Sequence, residues 1–283
     1  MRASLDIVIV SYNARADLEA CLASLHAAPP ARPHAIVVVD NASRDGSADA
    51  VAERWPAVRL IRNPANVGFA AANNIGVRAS SGDLVLLLNS DTVVPAGAID
   101  RLTAALESHP RAAIAGPRLV DGRGVPELSF GRALSPCNEF RQRALGTFHE
   151  RGVPAARRWV ARRVAAEHWP DWVSGACLLV RRPDAEAVGW LDERYFMYGE
   201  DVDFCAAVRA RGRGVLFTPD AEIVHLRGRS RATAPEATRA AYRRSQLAFY
   251  AKHHPRWVAL LRLYLRAKGE LPPRPDDAPG TRR

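Results

Sequence analysis

The run Leu84-Val85-Leu86-Leu87-Leu88, with Ser80-Ser81-Gly82-Asp83 before it and Pro95 after it, constrains the chain more than any other stretch. An unbroken apolar run bounded by turn formers predicts a strand covered on both faces, as in a parallel sheet flanked by helices. Asn89-Ser90-Asp91 then stands at the carboxyl end of that strand, where open α/β sheets place their ligands. Residues two apart in extended chain share a face, so Asn89 and Asp91 would present an amide and a carboxylate together. That pair suits a ribose hydroxyl and a divalent cation. A polar strand end that merely caps the next helix has the same residues.

The flanking segments alternate strand and helix. Leu5 to Val10 is a β-branched run ending in Ser11-Tyr12-Asn13, and Leu18, Cys21, Leu22 and Leu25 then follow helical spacing up to Pro29-Pro30. A strand over 35–39 ends in Asp40-Asn41-Ala42-Ser43. A helix over 48–55, a strand over 58–62 and a helix over 68–79 lead to the central strand, and a helix over 97–108 and a strand over 113–117 follow it. Such alternation implies a parallel sheet with right-handed crossovers. Asp40 is placed to accept from the imide N–H of a pyrimidine ring, or simply to build a turn with its neighbours. Asn66 is expected to cap the helix that opens near Gly68, whose small residues let it approach the sheet closely. No G-x-G-x-x-G follows the first strand and no G-x-x-x-x-G-K-[ST] occurs, which argues against dinucleotide and P-loop folds.

The 283 residues carry 40 Lys and Arg against 30 Asp and Glu, a net charge of +10 held mostly by arginine. An anionic partner follows, with nucleotide phosphate, lipid headgroup and nucleic acid all meeting that description. Cys21, Cys137, Cys177 and Cys205 are too widely spaced for a zinc cluster or a small disulfide scaffold, and they fit a reducing cytoplasm. The apolar run over 7–10 is too brief for a signal-peptide core, and no stretch reaches the roughly eighteen apolar residues of a membrane span.

Between Arg141 and Pro170 periodicity is lost, with seven arginines against two glutamates. The segment reads either as a mobile basic insertion over the site or as a solvated helical face. Order returns at Trp172-Val173-Ser174-Gly175-Ala176, which leads into an apolar strand. The densest cluster follows: Trp190, then Tyr195-Phe196-Met197-Tyr198-Gly199, then Glu200-Asp201-Val202-Asp203 opening a helix that Gly212 ends. Acids in a first helical turn favour the dipole, but three behind an aromatic loop exceed what a cap needs. Trp172, Trp190, Tyr195, Phe196 and Tyr198 suit either stacking on a ligand or a core. A strand over 214–217 and a second over 221–225 end at His225, which serves either as ordinary structure or as a metal ligand.

Taken in order, Val10-Ser11-Tyr12-Asn13, Val39-Asp40-Asn41-Ala42-Ser43, Asn66-Val67-Gly68-Phe69, Leu88-Asn89-Ser90-Asp91, Gly175-Ala176 and Gly199-Glu200-Asp201-Val202-Asp203 resemble the family 2 glycosyltransferases, nearest their bacterial rhamnosyltransferase-like branch. The likeness runs from about residue 5 to about residue 250. It implies a GT-A fold of the α/β class, a mixed, mostly parallel sheet flanked by helices, and a nucleotide-sugar donor attacked with inversion. By position in the pattern, Asp40 would contact the base, with Ser11, Asn13 and Asn66 also on the donor side. Asp91 matches the last acid of the family's D-x-D metal motif, His225 a histidine that completes the site for Mg²⁺ or Mn²⁺ in some relatives, and Asp201 the general base, with Glu200 beside it. The chain has Asn89 where the family often has Asp, which leaves an amide for the ribose. Gly175, Ala176, Trp172, Trp190 and Tyr198 would line the acceptor side.

The expected organisation is a catalytic domain over 1–230, basic amphipathic helices over 231–270 and a disordered tail over 271–283. Arg227 to Lys268 holds eleven basic residues and one acid, and Trp257, Leu260, Leu261, Tyr264 and Leu265 form one apolar helical stripe. That stripe suits an anionic membrane surface, or packing on the catalytic domain or on a second subunit as a homodimer. The enzyme would then work in the cytoplasm, peripheral on the inner face of the plasma membrane. Its donor would be a dTDP- or UDP-sugar, with rhamnose or another deoxyhexose to transfer, and its acceptor a cell-surface or lipid-linked glycan. A non-catalytic nucleotide-sugar binder is the alternative that Asn89 raises. A sugar-nucleotide pyrophosphorylase would need a Gly- and Arg-rich loop after the first strand, and a nucleic-acid binder a basic recognition element; neither is present.

Overall fold

A computed structural model describes residues 3–226 and 235–272. The strands β1 (Leu5–Ser11), β2 (His34–Asp40), β3 (Arg59–Arg62) and β4 (Leu84–Asn89) alternate with the helices α1 (Arg15–Ala27), α2 (Ser47–Arg54) and α3 (Phe69–Arg78). These four strands are mutually parallel, in the spatial order β3-β2-β1-β4. After the short β5 (Thr92–Val93) come α4 (Ala98–Ser108) and β6 (Ala112–Val120).

The expectation for the central strand holds. Leu86 and Leu88 pack with Leu5, Ile7 and Ile9 and with Leu22 of α1 and Leu102 of α4 on one face of the sheet. Val85 and Leu87 pack on the other face with Val8 and with Ala70 and Val77 of α3. The helix α3 comes this close because Gly76 faces the sheet, where a Cβ would stand 2.5 Å from Val8 Cγ1.

The second half departs from simple alternation. The strand β9 (Cys177–Arg181) is antiparallel to both β4 and β6 and lies between them, and β10 (Gly214–His225) runs parallel to β6 and antiparallel to β5. The full sheet has eight strands, ordered β3-β2-β1-β4-β9-β6-β10-β5, beside a two-stranded ribbon of β7 (Phe130–Gly131) and β8 (Trp172–Val173). Two expected strands over 214–217 and 221–225 are thus one, interrupted by a register shift between Thr218 and Glu222.

The basic stretch over 141–170 is largely helical, α5 (Pro136–Glu150) and α6 (Pro154–Val164), rather than a mobile loop. Ser135 caps α5 by accepting from the Asn138 N–H, and Pro136 occupies its first turn. Ala156, Val160 and Val164, four apart, are the buried stripe of α6. The short α7 (Arg182–Glu186) and then α8 (Glu200–Ala210) follow β9. In the carboxyl-terminal region α9 (Pro235–His253), a single 3₁₀ turn (Pro255–Trp257) and α10 (Val258–Ala267) pack against the rest, with Phe249 and Tyr250 buried against Tyr195 and Val202. The expected boundary near residue 230 and the tail over 273–283 lie outside the described residues.

Candidate active site

The carboxyl edge of the parallel strands gathers most of the residues singled out from the sequence. Ser11 pairs with Asp40 in the β1–β2 register, and Val10 pairs with Asn89. All three polar residues end their strands together. Asp40 Oδ2 accepts from the Ser43 N–H at 3.0 Å, while Asp40 Oδ1, Ser11 Oγ and Asn89 Oδ1 are buried without a hydrogen-bond partner. Buried polar atoms are normally paired, so unpaired ones clustered at a strand edge point to a ligand.

The loops behind this edge brace one another. Asn13, at φ +50°, accepts through Oδ1 from the Arg44 N–H and donates its own N–H to Ser43 Oγ. Asn66 does not cap α3 in the expected way. Its Oδ1 accepts from Asn41 Nδ2 at 2.7 Å and from the Gly68 N–H at 3.0 Å, and Gly68 itself occupies the cap position. Asn13 and Asn66 therefore sit at this edge with their side-chain oxygens engaged in holding its loops.

Antiparallel pairing of β5 with β10 sets His225 opposite Thr92, next to Asp91. His225 Nε2 lies 3.3 Å from Asp91 Oδ1, and Nδ1 lies 3.2 Å from Glu127 Oε2. Burial alone would lower the imidazole pKa, but the hydrogen bonds and charges of Asp91 and Glu127 override it and push it up to about 9. Glu127 was not visible from the sequence. It lies in a short irregular stretch 98 residues before His225, and only the pairing of β10 brings the two together. A carboxylate on the far nitrogen of a ligating histidine fixes its orientation.

On the opposite side, the antiparallel β9 delivers Ser174-Gly175-Ala176 to the same edge. The Asn89 N–H donates to Ala176 O at 2.9 Å, and the Gly175 N–H donates to Asp201 Oδ2 at 2.9 Å. Asp201 Oδ1 accepts from the Val202 N–H at 2.8 Å. Two peptide groups thus orient this carboxylate. Burial raises the Asp201 pKa against the pull of these bonds, and burial together with the charge of Asp201 raises that of Glu200 well above the usual carboxylate range. Glu200 Oε2 is buried without a partner. The two carboxyls therefore differ: Asp201 is held as an acceptor by peptide donors, while its neighbour retains a proton more readily.

Asp203, the third acid of the cluster, has another role. Its carboxylate accepts from Tyr195 Oη at 3.2 Å and from Lys252 Nζ at 2.8 Å, and lies 2.6 Å from His253 Nε2, so it ties α9 to the start of α8. Phe196 stands over the start of α3, where its carbonyl accepts the Phe69 N–H at 2.7 Å, and Met197 O accepts from Ser245 Oγ. Tyr198, at φ +70°, precedes the acids and meets Tyr242 of α9 edge-on.

Two tryptophans are placed differently from the rest. Trp172 donates its indole N–H to Arg132 O and packs between two core clusters. Trp190 is not brought to the site. It lies against Arg182, whose other partners are Asp6, Ser80 and Gly82 O at the opposite, amino edge of the sheet.

Comparison with known proteins agrees with this architecture. A curated relative, the N-acetylglucosaminyl-diphospho-decaprenol L-rhamnosyltransferase of Mycobacterium tuberculosis, is 34% identical over 264 residues, covering 89% of this chain and 86% of its own. The O-antigen biosynthesis protein RfbC of Myxococcus xanthus is 28% identical, covering 79% of this chain and 17% of its own. Among solved structures, the mannosyltransferase PcManGT from Pyrobaculum calidifontis, in complex with GDP-Man and Mn²⁺, superposes with TM-score 0.62 at 19% identity over 96% of this chain and 72% of its own. GalNAc-T7 with UDP, GalNAc and Mn²⁺ gives 0.60 at 17% identity over 96% and 59%. The shared architecture is the GT-A fold. A family model, Glycosyl transferase family 2, matches residues 6–169, and the chain belongs to that family of glycosyltransferases.

Proposed function

We propose that the enzyme is an inverting, metal-dependent glycosyltransferase that moves rhamnose or another deoxyhexose from a dTDP- or UDP-sugar to a lipid-linked or cell-surface glycan. The observation that carries this reading is the backbone tie in which Ala176 O accepts from the Asn89 N–H while the N–H of the preceding residue, Gly175, donates to Asp201. It links the Asp201 carboxylate to the strand end that carries Asn89, on the same sheet edge as the unpaired polar atoms of Ser11 and Asp40, which supports this reading. The deoxyhexose and the lipid-linked acceptor are suggested by the name of the mycobacterial relative.

Among the described residues no group of three or more His, Cys, Asp or Glu side chains forms a cation cluster. Asp91 and His225, adjacent at the strand edge, nonetheless offer a carboxylate and an imidazole that would hold a divalent ion. Such an ion, when bound, offers Lewis-acid stabilisation of the charge that grows on the departing diphosphate.

The chain's own groups account for the remainder. Asp40 Oδ1 would accept from the imide N–H of uracil or thymine, and Asn89 and Ser11 would hold the nucleoside. The acceptor hydroxyl attacks the anomeric carbon from the side opposite the diphosphate, through an oxocarbenium-like arrangement, as the C–O bond to the diphosphate breaks. Asp201 takes the hydroxyl proton during attack, general-base catalysis worth roughly 10²- to 10⁴-fold. A single base with displacement on the opposite face gives inversion.

The test is release of nucleoside diphosphate from a panel of dTDP- and UDP-sugars with Mn²⁺ and a polyprenyl-diphosphate-linked acceptor, with donor binding followed calorimetrically. Release from dTDP-rhamnose that disappears in Asp201→Asn, while donor binding persists, is expected. Full turnover in Asp201→Asn removes that residue as the base. Donor binding without turnover in the parent chain supports instead a nucleotide-sugar binder, the reading that an amide at position 89 favours.

A further inference from the structure

We propose that α10, the turn before it and the adjoining part of α5 form a docking surface for an anionic lipid bilayer. The apolar residues of this helix divide between two faces. Val258, Leu261 and Leu265 turn inward, onto the cluster that contains Tyr195 and Phe249 or, for Leu265, into full burial. Trp257, Leu260, Leu263 and Tyr264 remain in solvent, Leu260 at 55% and Leu263 at 63% exposure. Packing on the body of the protein therefore leaves a second apolar stripe uncovered, which soluble surfaces rarely keep without use.

The charge around that stripe selects the occupant. Arg256, Arg262, Arg266 and Lys268 are all exposed, and no acid lies between 254 and 269. The Lys268 ammonium stands 5.1 Å from the Tyr264 ring. On α5, Arg143 donates to Tyr242 Oη of α9 at 2.9 Å and Glu139 accepts from Gln246 of α9, which sets α5 against the helix that leads into α10. One turn before Arg143, Phe140 is 74% exposed. Aromatic and leucine side chains surrounded by arginines match the interfacial region of a bilayer with anionic headgroups. A second copy of the chain would bring the same cationic rim against itself, so the charge disfavours it.

The surface is also mechanically linked to the site. The turn over 255–257 is separated from His253 by a single residue, and His253 and Lys252 grip Asp203, two residues past Asp201. A bilayer held at α10 would therefore lie at a fixed position relative to the candidate base. The inference rests on the lipid-linked acceptor only for its purpose, since vesicle binding is measured without donor or acceptor. Failure to bind leaves the transfer reading standing, and failure to turn over leaves the surface standing.

The experiment is co-sedimentation of the full chain with vesicles of phosphatidylcholine alone and of phosphatidylcholine with phosphatidylglycerol, at 0.1 and 0.5 M NaCl. Binding to the anionic vesicles at low salt is expected, at least tenfold weaker at high salt and with neutral vesicles. Arg262→Gln/Arg266→Gln and, separately, Leu260→Gln/Leu263→Gln are expected to weaken it at least tenfold while circular dichroism and melting stay those of the parent. No binding by the parent, or binding at the parent's level by either double variant, overturns the proposal. A dimer in light scattering that Leu260→Gln/Leu263→Gln dissociates overturns it in favour of a second copy.

Discussion

Asp203→Asn separates the acid that ties α9 to α8 from Asp201, the proposed base. Asp203 is 2% exposed and receives Tyr195, Lys252 and His253, so the substitution removes the charge that binds α9 to α8 while keeping the side chain's shape. Hydrogen bonds to a charged group contribute about 1.5–3 kcal/mol each. The side chains of Lys252 and His253 are 31% and 27% exposed, so both regain water once released, and the low end of that range applies to them. Lys252 also keeps Asp192, at 2.8 Å. The expected loss is about 2–4 kcal/mol, which lowers the melting temperature by roughly 3–7 °C in a chain of this size. Differential scanning calorimetry reads the loss, and turnover measured well below the new melting point reads function. Turnover per folded molecule is expected to stay within a few-fold of the parent, whereas Asp201→Asn should melt near the parent and lose activity. A Lys252→Met change added to Asp203→Asn should cost less than the sum of the two alone. An Asp203→Asn protein that melts like the parent refutes the tie. One that melts like the parent and is inactive transfers Asp203 to the chemistry.

Two further expectations concern stability and the loop. The Glu200 carboxyl is raised by burial and by Asp201, so folding favours its protonated form; that contribution is complete below about pH 4.5, its unfolded value, and is lost as pH rises through the higher folded value. Glu200→Gln should therefore melt with the parent at pH 4 and above it at pH 8, and equal melting at both, followed by calorimetry, contradicts the assignment. Gly68 has φ +88° and ψ 170°, a region open only to glycine, and a Cβ there would lie 2.6 Å from Phe196 O. Gly68→Ala should cost about 1–3 kcal/mol from backbone strain alone and reduce turnover by displacing the loop over 195–199. Melting within a degree of the parent together with full turnover would show that the contact is soft.

Much of the candidate site was legible because strand ends are legible. An unbroken apolar run fixes which residues emerge at the carboxyl edge, and Ser11, Asp40 and Asn89 follow from three such runs in neighbouring parallel strands. Pairings between distant segments were not legible. Glu127 meets His225 only through the register of β10, and Asp203 meets α9 across about fifty residues. Over 141–170 the sequence allows a basic insertion and a solvated helical face equally; the helices α5 and α6 support the second, and the four-residue repeat of Ala156, Val160 and Val164 is its available signal. Trp190 shows the converse error, since aromatic residues near an acidic cluster in sequence need not share its edge of the sheet.

The antiparallel strand β9 works as a ruler. Because Gly175 and Ala176 are covalent neighbours, the separation between Asn89 and Asp201 is set by one peptide unit and two hydrogen bonds. Segments attached outside that span, such as α5 and α6, can lengthen, shorten or change composition without altering it. The fold thus keeps the spacing between Asn89 and Asp201 within its sheet and leaves variation to segments attached outside it.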